Sequence, residues 1–213
     1  AASADINEDS KFETLLLEEW NYDLSQNPVY ATAMGVKGLE TKWTDLSLSA
    51  INSRKIHDRE ILKKLEAIKV SKLSKENQLN LRLFRQLTIE QIALNKFNRY
   101  LLPFSHRGGV QLAHEDTEVL PLNSIEDYQL WLGRLKNLEK RIDQTINIAK
   151  IGLSRDYRAP KILMERVFRQ IQIQANKNIA INPFYKIFKE LPDSFSLEDK
   201  EMLQAQAKEI IST

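Results

Sequence analysis

The chain has 213 residues, 42% hydrophobic and 28% charged, which suits a folded globular protein and excludes a disordered tail. Its 31 basic and 29 acidic residues leave a net charge of +2 and lie interspersed, so no basic face marks a nucleic-acid binder. With no cysteine it has neither disulfides nor thiolate metal ligands nor a thiol nucleophile, and no apolar run reaches the ~20 residues of a membrane span.

Residues 1–9 are small and polar and are expected to be extended or disordered. Ser10-Lys11-Phe12-Glu13 then reads as a capping box, followed by Phe12, Leu16, Trp20 and Leu24 at i+4 steps. Asn27-Pro28 stops that helix, because the residue before proline is pushed out of the α region. Val29 to Val36 reads as a short helix closed by Gly35 or Gly38. Ser47 or Ser49 caps a helix reaching about Lys69, with Ile61, Leu65 and Ile68 on one face. His57 within it reads as a surface residue. Ser74 caps the next helix, whose apolar stripe is Leu79, Leu83, Leu87 and Leu94, with Phe84 and Phe97 beside it.

Residues 99–122 break the pattern with Pro103, Gly108-Gly109 and Pro121. This is an irregular excursion, and Val110-Gln111-Leu112 could pair with Val119-Leu120 as a small hairpin near 110–120. Ser124 and Asp127 open the strongest helix, with Tyr128, Leu132, Leu135, Leu138, Ile142, Ile146 and Ala149 alternating by three and four. Run unbroken from Ile125 to Ile151, it would span roughly 40 Å, with Gly152 as its cap. Pro160 starts a helix carrying Leu163, Val167 and Ile171, whose Gln170, Gln172 and Gln174 read as a polar face. Ser196 and Asp199 open the last one, with Leu203, Ala207 and Ile210. That helix reaches Thr213 without a stop signal and the chain opens on Ala, so a processed or truncated piece is expected. Trp20, Trp43 and Trp131 read as core or interface aromatics. The fold class is all-α: a single helical domain over 1–213, a bundle-like array of about six long helices.

Candidate chemistry gathers in the excursion. A helical zinc motif needs two histidines at i and i+4 with a general-base glutamate between them. His114-Glu115 is followed at i+4 by Glu118, and the segment lies between Gly109 and Pro121, so it reads as a solvated acidic loop; no metal ligand is assigned. His106 and Arg107 precede Gly108 and Gly109. The glycines let a backbone approach a ligand closely and the arginine can clamp a carboxylate, which makes a substrate-edge loop. The alternative is a tight turn. Phosphate-loop and dinucleotide spacings are absent, no serine has a His/Asp context, and no catalytic residue is assigned.

Several landmarks carry a resemblance. Asn27-Pro28-Val29-Tyr30-Ala31-Thr32-Ala33-Met34-Gly35 looks like a P-x-x-A-T-x-L-G signature with Met34 for Leu, followed by Asp45-Leu46-Ser47. Leu102-Pro103-Phe104 with Gly109, then Glu126-Asp127-Tyr128, Arg134-Leu135 and Asp143-Gln144, continue it in order. Together they resemble the N-terminal part of a bacterial domain-of-unknown-function family of exported lipoproteins that look like gluzincin-type (HExxH) zinc peptidases. The resemblance implies a helical wall of a substrate cleft, with His106, Arg107 and Tyr157 or Arg158 facing a peptide. It implies no cofactor in this chain, and zinc in a C-terminal catalytic part, since no HExxH occurs here. That part would be the chain's partner, and membrane contact would come only through an upstream lipid anchor on a periplasmic or cell-envelope lipoprotein. This chain alone is expected neither to hydrolyse peptides nor to bind zinc. The competing reading is a stand-alone helical ligand-binding or interaction module of the envelope.

Overall fold

A computed structural model describes residues 7–176 and 178–212. Among them the chain is mostly helical and forms no strand. The helices are α1 (Glu8–Gln26), α2 (Pro28–Ala33), α3 (Leu48–Glu66), α4 (Lys75–Leu94), α5 (Ile125–Lys136), α6 (Leu138–Ser154), α7 (Lys161–Gln174), α8 (Lys186–Lys189) and α9 (Leu197–Ser212). None is long and apolar enough to cross a membrane. The backbone divides into two compact units, one of Ala1–Leu24 with Ser47–Arg99, the other of Ser25–Leu46 with Tyr100–Thr213.

The first unit packs α1 with the α3–α4 hairpin around Phe12, Leu15, Ile61, Leu65, Leu73 and Leu81. Helix α1 starts earlier than Ser10. Of the segment expected to be extended, residues 1–6 lie outside the described ones, while Glu8 and Asp9 are helical. Their carboxylates explain this, since Glu8 accepts from the Lys69 amide at 2.9 Å and Asp9 from Asn77 Nδ2 at 2.8 Å and the Ser74 amide at 3.0 Å. Hydrogen bonds to the ionised forms hold both carboxyls below their ordinary pKa. Glu13 also accepts from Asn77, and this pairing fixes the rotation of α4 about its axis. As a result Leu81 and Thr88 turn inward, and the leucine stripe expected as core faces out, with Leu79 50%, Leu83 55% and Leu87 63% exposed. Trp20 is likewise largely exposed, although it shares a stripe with buried Phe12 and Leu24. His57, expected on the surface, is half-buried: its Nε2 meets Glu19 Oε1 at 2.8 Å, and its ring stacks on Tyr22.

The second unit is built on α5 and α9, with Trp131, Leu132, Leu135, Phe188, Leu203 and Ala207 in its core. Ser124 and Asp127 form the expected capping box. The expected long helix is cut in two at Asn137, whose Nδ2 donates to the Thr41 carbonyl at 3.0 Å and the Gly133 carbonyl at 3.2 Å. An asparagine that bonds backbone carbonyls competes with the helical ladder. The hairpin expected near 110–120 is instead a 3-10 segment, Val110–Glu118; the neighbouring β-type contact is a single bridge between Ser105 and Gly108.

Gly152 is not the cap of α6 but an interior residue. The left-handed position is Asp156, at φ 61°, and the Gly152 carbonyl accepts from the Tyr157 amide at 2.9 Å. A Cβ on Gly152 would collide with the Leu101 carbonyl oxygen. A Gly→Ala change inside a helix ordinarily gains about 1 kcal/mol, whereas overpacking against fixed backbone costs about 1–3 kcal/mol. Gly152→Ala is therefore expected to lower the denaturation midpoint, while Gly133→Ala, which meets only the Thr41 side chain, costs less. Equal midpoints for the two variants in urea titrations would show that the close approach of Leu101 is not a constraint.

Candidate functional site

Two features of the second unit draw polar groups inward. The first is Arg134, which is fully buried in α5. Its Nη2 donates to Thr32 Oγ1 at 2.6 Å and to the Leu39 carbonyl at 3.1 Å, and its Nε donates to the Glu40 carbonyl. Trp43 Nε1 donates back to the Arg134 carbonyl at 2.8 Å. The Trp43 ring lies 5.5 Å from the Arg134 guanidinium and 4.5 Å from that of Arg141. Burial pushes the Arg134 pKa down to about 10, so the group stays charged at neutral pH. Burial raises the Asp116 carboxyl, with Arg141 and Arg134 opposing the shift. Arg134 Nη1, Arg141 Nε and Trp131 Nε1 are buried without protein partners.

The second feature is an open groove of about 730 Å³ among α5, α6, α7, α9 and the 3-10 segment. Leu138, Ile142 and Ile146 of α6 form one wall, Ile171 of α7 and Phe184 another, and Ile210 and Ile211 of α9 close one side. Gln111, Gln174 and Asn182 supply the polar inner surface, and Lys136, Glu139 and Glu209 the charged edge. The volume lies within the range of small-molecule sites.

The inner surface is an amide network. Gln111 Nε2 donates to the Ser105 carbonyl at 2.7 Å and to Gln170 Oε1 at 3.2 Å. Gln174 Nε2 donates to the Gln111 carbonyl and meets His114 Nδ1 at 2.8 Å. Asn182 Nδ2 donates to the Gln174 carbonyl at 3.0 Å. Gln170 and Gln174, read as a polar face, are thus the latch that ties α7 to the 3-10 segment. Gln111 Oε1 is buried and unpartnered.

The residues singled out as substrate-facing do not line this groove. Ser105 and Gly108 close a tight turn by mutual backbone bonds of 3.0 and 3.4 Å, with His106 and Arg107 at its tip. The His106 carbonyl accepts from Gln170 Nε2 at 3.1 Å, its Nδ1 is buried without a partner, and the Arg107 side chain is exposed. Gly109, at φ 131°, backs onto the Gln111 side chain, which leaves no room for a Cβ. The turn therefore supports the groove from behind. Tyr157 and Arg158 follow the end of α6, where Arg158 Nε donates to Asp156 at 2.8 Å in the open. His114 is half-buried, edge-on to Phe184, rather than in a solvated loop. No three His, Asp or Glu side chains come together to hold a metal among the described residues.

Residues 28–213 match the family described as bacterial protein of unknown function (DUF885). The chain belongs to this family. The match takes in α2, Arg134, the amide latch and all the groove walls. No curated protein matches the chain.

Burial lowers the His114 pKa below its ordinary 6.5, with Glu115 and Glu118 opposing. The unfolded chain thus binds this proton at a pH where the fold does not, so stability rises with pH through that window and is complete above about 6.5. Protonation would also set Nδ1–H against the Gln174 amide, and flipping that amide would break its bond to the Gln111 carbonyl. From pH 7.5 to 5 the chain is expected to lose on the order of 1 kcal/mol more than His114→Gln, which keeps an acceptor but cannot titrate. Parallel stability–pH curves from urea denaturation would contradict this.

Proposed function

We propose that this chain is the non-catalytic helical wall of a substrate cleft in a larger, exported zinc-peptidase-like lipoprotein. The carrying observation is the groove: an aliphatic trough, open along α6, backed by a rigid amide network. Its residues suit the binding and orienting of a peptide. Aliphatic walls exclude water around a substrate side chain.

The chain's own side chains do not fit the zinc that the resemblance implies. His57 is engaged by Glu19, His114 Nδ1 by Gln174, and His106 sits in a turn with no carboxylate bonded to it. We therefore place the metal-binding HExxH helix outside these residues. Exposed apolar side chains on α6 and α7, Leu153 60%, Ile162 60% and Phe168 60%, support a further body of protein against this face. Localisation in the periplasm or envelope, through a lipid anchor upstream, belongs to the same proposal.

A second reading is a stand-alone ligand-binding module, favoured by the fact that every wall of the groove comes from one compact unit. The two separate in the longer gene product. If it hydrolyses a quenched fluorogenic peptide when zinc-loaded, Ile142→Glu is expected to raise KM about tenfold with kcat within about twofold, the signature of lost ground-state binding. A longer product that cleaves no peptide would overturn the peptidase reading. An unchanged KM would remove the groove from the substrate path.

A further inference from the structure

The amide latch behind the groove has one titratable member. His114 Nδ1 meets Gln174 Nε2 at 2.8 Å, and the same Nε2 donates to the Gln111 carbonyl. An amide nitrogen carries two hydrogens, so Gln174 makes both bonds only while Nδ1 offers a lone pair. Neutral His114 with its proton on Nε2 meets that condition. Imidazolium does not, because it sets Nδ1–H against the amide N–H. Turning the amide over gives Nδ1–H an acceptor but aims the Gln174 oxygen at the Gln111 carbonyl oxygen. Either way one of the two bonds is lost.

Those bonds hold a wall of the groove. Gln174 belongs to α7, which also carries the groove residue Ile171, and Gln111 and His114 belong to the 3-10 segment packed against it. A further link, from Gln111 Nε2 to Gln170 Oε1, is longer at 3.2 Å. The His114 ring also lies edge-on to Phe184, a third lining element.

The half-buried ring is faced by neutral groups, Gln174 from α7 and Phe184 from the turn before α8. Three charges act on it. Glu115 and Glu118 of its own segment favour the cation, and Lys186 at the start of α8 opposes it. Arg141 of α6, which packs on the same segment, acts on Asp116. Burial outweighs the two carboxylates, so the latched form takes up a proton less readily than a free imidazole. By linkage, a proton favours the arrangement that frees the ring.

We propose that His114 is a proton-operated catch on the groove. Neutral, it holds α7 against the 3-10 segment; protonated, it releases that wall and opens the trough to apolar ligands.

The test is titration of the 213-residue chain with Nile red, an apolar dye that is uncharged at both pH 7.5 and pH 5. The parent is expected to bind the dye about threefold to tenfold tighter at pH 5, the worth of one lost hydrogen bond. His114→Gln, which keeps the acceptor and cannot titrate, binds equally at the two pH values. Gln174→Met, which removes the catch at any pH, binds at pH 7.5 as the parent does at pH 5. Ile142→Glu, in the facing wall, loses the gain on acidification. A parent without that gain, a His114→Gln chain that keeps it, or a gain that survives Ile142→Glu would overturn the proposal. So would a folded Gln174→Met chain that binds like the parent at pH 7.5; if that variant does not fold, the other two decide.

Discussion

The second unit depends on one buried cation. Arg134 lies inside α5 with no exposed surface, among the buried Trp131, Leu132 and Leu135 that build the core. An unpaired guanidinium in such a place would be prohibitively costly, so the surrounding chain must bring oxygen to it. Residues 28–43 do this. They run as a short helix and then an irregular loop, and their Thr32 hydroxyl and Leu39 and Glu40 carbonyls converge on the guanidinium. The loop has little core of its own. Its order is that of a ligand wrapped around a charge, with Trp43 closing the far side and Asn137 tying its Thr41 carbonyl to the end of α5.

That arrangement bears on the groove as well. Asn137 separates α5 from α6, and Ile142 and Ile146, beyond that break, line the trough instead of a closed core.

The parts of this architecture visible in the sequence were those with local chemistry. Ser47, Ser74 and Ser124 cap their helices as their spacing suggests, because a cap is decided within four residues. What escaped the sequence was decided at a distance. The α4 leucines look like core because periodicity reports a face, not which face is covered, and Asn77 bonded to Asp9 and Glu13 turns the other one inward. Ile142 and Ile146 read as a seam for the same reason. The groove's polar surface was hidden because Gln170 and Gln174, one turn apart on α7, look like any solvated face until Gln111 and His114 arrive from 60 residues upstream. Arg134 did leave a signal, as a charge amid Tyr128, Trp131, Leu132 and Leu135, and a cation in an apolar stripe warrants a search for its oxygens.

The stretch that matches the bacterial family of unknown function, residues 28–213, contains this cation and the groove walls. The most direct test of the central dependence is hydrogen exchange followed by mass spectrometry on the chain and on Arg134→Lys, at matched stability conditions. A compact ammonium cannot reach the oxygens that the guanidinium fork spans. If the charge organises the unit, residues 28–43 lose protection first and most, and global stability falls by about 3 kcal/mol or more. Unchanged protection over 28–43, with a stability loss under about 1 kcal/mol, would contradict it.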